Sequence, residues 1–332
     1  MDNKKAIAIG YAIAAAAFYA ISTPISKMLL DHAGPTMLAA LLYLGAGIGI
    51  GFIFLLKDKE QKGDMLTRSD LPYTAGMIAL DIAAPILLMN GVARTAAANV
   101  SLLNNFEIVA TALIAFFIFR EKISKRMWWA LFFITLSSIM LSFEGTESLK
   151  FSTGSLMVLG AAVCWGFENN CTKMISSKST YEIVILKGMC SGLGSLCIAL
   201  IIGEKIPALP VVAIALALGF VAYGLSIFMY IRAQSEIGAA KTSAFYALAP
   251  FIGALVSFLL LHEALSQQYL LGLLIMILGS AFAIVDTLKY RHSHIHSHTV
   301  YHMRKGVIEK EVITHEHEHS HIGPGLAHHH SH

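Results

Sequence analysis

Runs of about twenty apolar residues recur along the whole chain, each closed by charges or turn residues, and no other feature constrains the fold as strongly. A helix of about 20 such residues crosses the hydrocarbon core of a bilayer, where backbone polar groups have to be satisfied within the element itself. Of the 332 residues, 56% are hydrophobic and 14% charged. A soluble chain averages about 25% charged residues, so there is too little charge here to cover a soluble surface. The runs predict an all-α integral membrane protein of ten transmembrane helices. They are roughly Ala6–Leu30, Pro35–Leu56, Leu71–Thr95, Ala97–Phe119, Arg126–Phe143, Gly154–Ser177, Tyr181–Ile202, Val211–Arg232, Ile237–Leu261 and Gln267–Leu288.

Basic residues predict the orientation. With the N-terminus in the cytoplasm, the inner side collects Lys4, Lys5, Lys57, Lys59, Lys62, Arg68, Arg120, Lys122, Lys125, Arg126, Lys173, Lys178, Arg232, Lys241, Lys289 and Arg291. The outer side keeps only Lys27, Arg94, Lys150 and Lys205. Ten spans return the C-terminus to the cytoplasm as well, and the expected location is the inner cell membrane, as a multi-pass protein. Lys4 and Lys5 precede an apolar stretch too long for a signal-peptide core. Pro24, Pro85 and Pro250 fall inside predicted spans, where they free carbonyls that neighbours or a cavity have to satisfy.

The chain also repeats itself. At a shift of 142, Phe119-Arg120-Glu121-Lys122-Ile123-Ser124 falls on Leu261-His262-Glu263-Ala264-Leu265-Ser266. At a shift of 146, Phe18-Tyr19-Ala20 falls on Cys164-Trp165-Gly166, and Lys27-Met28 on Lys173-Met174. Five spans is an odd number, so the second half enters the membrane upside down relative to the first. The expected organisation is a five-helix repeat over 1–145, an inverted five-helix repeat over 146–290, and a His-rich, largely disordered cytoplasmic tail over 291–332. Inverted repeats are built to rock against each other around a site near the midplane.

These features resemble the drug/metabolite transporter superfamily, specifically its EamA-like permeases: ten spans arranged five plus five, a proline or polar break in the first helix of a half, and Glu121 and Glu263 closing the fourth and ninth helices. The resemblance covers about Ala6–Leu288. It implies export or exchange of small metabolites, amino acids or similar solutes, driven by an ion gradient or by the solute's own. It also implies a central cavity lined by the first, third, fourth, sixth, eighth and ninth helices. The family's general pattern has no His-rich tail.

Charged residues inside spans mark candidate chemistry, because each costs about 2.5–3.5 kcal/mol on insertion scales unless it faces a cavity or a partner. On the fourth span, Asn104, Glu107 and Thr111 form one stripe. On the sixth, Trp165, Glu168, Asn169 and Thr172 share a face, and its counterpart on the first span is Tyr19, Ser22, Thr23 and Ser26. Asp81 and Lys187 complete the set, with Lys187 and Glu168 the obvious ion pair. Each charge has a plainer reading as a buried pair that only fixes packing. The candidate substrate-binding or coupling residues are Glu107, Glu168, Asp81, Asn104, Asn169, Trp165, Tyr19 and Lys187, with Glu107 foremost because nothing corresponds to it in the other half. A carboxylate in a dry cavity could carry a coupling proton. Asn90 and Asn170 read as interhelical glue.

Gly45, Gly47, Gly49 and Gly51, and Gly188 and Gly192, have the small-residue spacing that lets helices pack closely, slide or form a homodimer. Cys164, Cys171, Cys190 and Cys197 read as small packing residues. All fifteen histidines except His32 and His262 lie in the tail. There His292, His294, His296 and His298, then His315, His317, His319 and His321, alternate as a metal-binding tract does, with affinity for Zn, Ni, Co or Cu. Thr299–Thr314 shows some apolar alternation and could order locally. His315-Glu316-His317-Glu318-His319 satisfies H-E-x-x-H only by low complexity. No nucleophile triad, phosphate loop or redox motif points to an enzyme, no cofactor is required, and nothing points to nucleic acid. The expected partners are the lipid bilayer, a small-molecule substrate and a coupling proton or ion. The leading expectation is a secondary active transporter, an exporter of a small metabolite such as an amino acid or related polar solute, working by alternating access around a midplane cavity. A divalent-metal exporter or metal-regulated transporter using the tail, and a membrane sensor or scaffold that moves nothing, are the alternatives.

Overall fold

The computed structural model describes residues 3–56, 64–118, 120, 123–142, 152–175, 178–237, 246–262, 266–304 and 307–322, with backbone alone at 3–5, at 234–237 and beyond 285. Its membrane part is helical: α1 (Asn3–Ala20), α2 (Ser22–Leu29), α3 (Pro35–Leu55), α4 (Leu71–Arg94), α5 (Ala97–Leu103), α6 (Phe106–Phe117), α7 (Lys125–Ser142) and α8 (Thr153–Ile175). There follow α9 (Thr180–Leu186), α10 (Gly192–Ile201), α11 (Leu209–Gly219), α12 (Ser226–Ile237), α13 (Ala249–Leu261) and α14 (Gln267–Leu288). Lys187–Ser191 joins α9 to α10 as a π turn, and Phe220–Leu225 joins α11 to α12 likewise. Seven helical segments are long and apolar enough to cross a membrane, and Ala249–Leu261 is a shorter apolar helix. Every predicted span contains described helix. The ninth begins in residues that lie outside the description, as do Glu121 and Glu263.

Prolines and turn residues set the helix ends. Pro35 stands at the start of α3 after Gly34, and the carboxylate of Glu204 accepts from the backbone N–H groups of Thr36 and Met37, capping orphan donors of that helix. Three residues before Pro24 the first span breaks at Ile21. Pro85 lies within α4, which continues through it, and Pro250 begins α13 rather than interrupting it.

Several features recur in the two halves. The fourth span breaks at Asn104–Asn105, and a turn at Ala247–Leu248 precedes α13. At the shift of 142, Asn105 falls on Ala247. Arg120 and His262, superposed by the same shift, are the non-glycine residues with positive φ among those described, at 54° and 50°. Such backbone is costly for a residue with a Cβ, and it stops a helix sharply. Packing is reciprocal too: α4 lies along α8, and α1 lies along α12. α6 packs on α8 just as α13 packs on α1, while α7 pairs with α14 and α3 with α10. In this pattern a contact of i on j is matched by one of j on i.

The main core gathers Met37, Leu38, Leu42, Leu88, Met89, Leu102, Val158 and Trp165, with large apolar side chains such as Phe52, Leu55, Trp129 and Leu274 turned outward. Several of the closely spaced glycines pack against other helices of the same chain. Gly47 and Gly188 bring α3 and the π turn so close that a Cβ on either would meet the other helix's backbone, and Gly45 meets the backbone of Leu216. Beyond α14, β1 (Lys289–Arg304) and β2 (Val307–Ile322) form an antiparallel hairpin. The sequence indicates local order only across Thr299–Thr314, and the paired stretch is longer. The β-forming Val300, Val312 and Ile313 lie within it.

Candidate functional site

The site forms where α4, α8 and the π turn cross. Asp81 comes from the middle of α4, Glu168 from the last turns of α8, and Lys187 opens the π turn. All three are buried. Lys187 Nζ lies 2.8 Å from Glu168 Oε1 and 3.5 Å from Asp81 Oδ2. Thr172, one turn along α8, donates to Glu168 Oε1. Tyr43 from α3 donates to Asp81 Oδ1 at 3.0 Å, and the Trp165 indole donates to Tyr43 Oη at 3.3 Å. A π turn is a frequent local departure at functional sites. Here it begins at the one cation of the triad.

Glu107 stands in the first turn of α6, directly after the break at Asn104–Asn105. Asn169 of α8 donates to Glu107 Oε1 at 2.6 Å and to Thr111 Oγ1 at 3.3 Å. Asn170 donates to Gly166 O at 2.8 Å and to Thr111 O, as interhelical glue would. Glu107, Glu168 and Lys187 interact electrostatically across the site, and the charge of Glu107 also reaches the hydroxyls of Tyr19 and Tyr246.

A run of tyrosines flanks these charges. Tyr43 and Tyr223 have ring centroids 5.4 Å apart, Tyr223 and Tyr19 5.9 Å, and Tyr19 and Tyr246 5.7 Å. Ser22 of α2 donates to Tyr223 Oη at 3.1 Å. Beside Tyr19 a small cleft is walled by Thr23, Ser101, Asn104, Pro250 and Gly253. The buried Ser101 Oγ and Asn104 Oδ1 have no hydrogen-bond partner among the described residues.

All eight residues singled out from the sequence therefore stand in one neighbourhood. Lys187 pairs with Glu168, as expected, and also with Asp81. Trp165 donates a hydrogen bond to Tyr43, and Tyr19 packs on two tyrosines. The residue that sequence reasoning missed is Tyr43. Its only signal was a hydroxyl on an otherwise apolar span, and nothing in α3 indicates that it reaches α4. Among the residues with described side chains, no group of three metal-ligating residues comes together. The eight alternating histidines lie on the hairpin, where the register sets His292 opposite His319, His294 opposite His317 and His296 opposite His315, with His298 opposite Ile313 and His321 opposite Tyr290.

Comparison with known proteins supplies the family. The model of the EamA-like transporter family matches residues 6–143 and again 152–285. An uncharacterized transporter of Methanothermobacter thermautotrophicus is 29% identical over 80% of this chain and 83% of its own. The uncharacterized transporter YyaM of Bacillus subtilis is 24% identical over 80% of this chain and 90% of its own. A solved crystal structure covers 84% of this chain at a TM-score of 0.61 and 14% identity, which speaks for the fold alone. With both halves matched and multi-pass transporters as its relatives, this chain belongs to the EamA-like transporter family.

Proposed function

We propose that this transporter is secondary active and carries a small polar metabolite, such as an amino acid or a related solute, out of the cell across the inner membrane by alternating access. The observation that carries the reading is the buried group Asp81, Glu168, Lys187 and Glu107, which sets three carboxylates against one ammonium at the junction of both halves. Burying such a set is costly, and scaffolding alone would be served by apolar packing. The halves are taken as an inverted repeat with both termini in the cytoplasm. The double family match, the matched breaks and the reciprocal packing support it. In this reading the contacts of α1 with α12, and of α8 with α4, alternate as the cavity opens to either side. Glu107 is the selectivity or coupling group, because Ala249 stands at its place in the other half.

Reconstitution into liposomes tests the reading. Loaded vesicles containing the wild type should exchange a labelled solute from a mixed metabolite panel, and Glu107→Gln should lose most of the flux while folding normally. Vesicles that move nothing from a panel spanning amines, zwitterions, anions and neutral solutes would refute transport of this kind. A second reading has one observation behind it: the hairpin register sets three histidine pairs across the strands. Metal bound there would make the tail a regulator or a feeder of the transporter, and removal of His292–His332 would then abolish metal-dependent flux.

A further inference from the structure

Resting on the transporter reading, we infer that the solute enters as a cation, a small organic amine, and that its ammonium group sits in the cleft beside Tyr19. Three features converge there. The first is charge. Lys187, the buried ammonium of the site, is already engaged by Glu168 and Asp81. A carboxylate on the solute would therefore compete with two resident carboxylates for it. Among the described residues Glu107 accepts from the neutral amide of Asn169, and three carboxylates stand against the one ammonium of Lys187, so a cationic solute would add the missing positive charge.

The second feature is hydrogen-bond demand. Asn104 Oδ1 and Ser101 Oγ face the cleft without a partner among the described residues. An amide oxygen only accepts, and a hydroxyl oxygen can. An ammonium offers three donors and no acceptor, so it would satisfy both and keep one proton for Glu107 or for water. A carboxylate, which only accepts, would leave Asn104 Oδ1 unsatisfied.

The third is aromatic surface. The ring of Tyr19 lines the same cleft, backed by Tyr246 and Tyr223. Ring faces attract cations, and buried sites strengthen the attraction. Pro250 and Gly253 add apolar surface to the same lining. Glu107 lies one helical turn beyond Asn104 on the same stripe, close enough for its charge to reach Tyr19.

A matched set of probes decides the matter: tyramine, tyrosine and 4-hydroxyphenylpropionate share one ring and differ in charge. Binding to the purified full chain is read by calorimetry, and exchange by flux in liposomes. The expected order is tyramine, then tyrosine, with the acid not bound. Glu107→Gln should weaken tyramine by about tenfold to a hundredfold, and Tyr19→Leu by about tenfold while Tyr19→Phe, which keeps the ring, is nearly neutral. Asn104→Asp, adding a carboxylate to the cleft, should tighten tyramine and not the acid. Tighter binding of tyrosine or the acid than of tyramine would overturn the inference. So would binding of tyramine that is indifferent to Glu107→Gln, Asn104→Asp and Tyr19→Leu in variants that fold. If tyramine and the acid both fail while aliphatic zwitterions are exchanged, the cation assignment falls and the transporter stands. If no solute of any charge is exchanged, the transporter reading falls first.

Discussion

Ser22 donates a hydrogen bond to Tyr223 at 3.1 Å, and the residues that correspond to this pair in the other half are Glu168 and Asp81, which share Lys187. The shift of 146 carries Ser22 onto Glu168, and the shift of 142 carries Asp81 onto Tyr223. One crossing between the halves is thus neutral and the matching crossing is charged. The same geometry holds both, since α2 and α8 each bring a polar face to the corresponding helix of the other half.

Loss of the lysine should be the most damaging change at the charged crossing. Lys187→Met leaves Asp81 and Glu168 buried without a counter-charge, at a cost of about 3–5 kcal/mol. Adding Glu168→Gln and Asp81→Asn should recover much of that loss, because the neutral set resembles Ser22 and Tyr223. Thermal unfolding in detergent measures both. A single variant as stable as the wild type would show that water or a proton already compensates the acids.

Tyr43→Phe removes one hydroxyl that serves two partners. The Asp81 carboxylate loses a donor and the Trp165 indole loses its acceptor. The expected cost is about 1–3 kcal/mol, with a shift in tryptophan fluorescence. A variant of unchanged stability and spectrum would mean that the hydroxyl is not where the contacts put it.

Gly188→Val should fail to accumulate as folded protein, since a side chain there runs into the backbone of Gly47 and Tyr43. Overpacking of this kind costs about 1–3 kcal/mol or more. Gly51→Val, at an open position, should be tolerated. Size-exclusion profiles of the two variants make the comparison.

Asn169→Ala strips Glu107 of its amide donor and should alter transport more than stability. Flux is expected to fall and its pH profile to move, because the carboxylate loses the donor that holds it. Asn170→Ala, whose bonds go to backbone carbonyls of Gly166 and Thr111, should instead lower stability and leave the pH profile alone. Parallel pH profiles for wild type and Asn169→Ala would remove Glu107 from the coupling role.

Single cysteines in a background lacking Cys164, Cys171, Cys190 and Cys197 should report the orientation. Labels at Lys59 and at a tail position should react from the cytoplasmic side, and a label at Lys205 from the other. Lys59 and Lys205 reacting from the same side would contradict the inverted arrangement.

The sequence by itself determined that the chain crosses a membrane many times, which helix faces are polar, and which charges need partners. These follow from composition and helical period, both local properties, and from the cost of an unpaired charge in lipid. It also showed that Phe119–Ser124 resembles Leu261–Ser266. The pair Lys187 and Glu168 was legible because few opposite charges exist inside the spans. Tertiary structure alone decided that Asp81 joins that pair, that Tyr43 reaches across from α3, and that Glu107 is held by Asn169 at 2.6 Å. It alone set Gly47 against Gly188. These contacts join residues far apart in the chain, through helices whose rotation and depth depend on the fit of every neighbour. A helical wheel reports a face, and the facing partner depends on packing that no single span encodes.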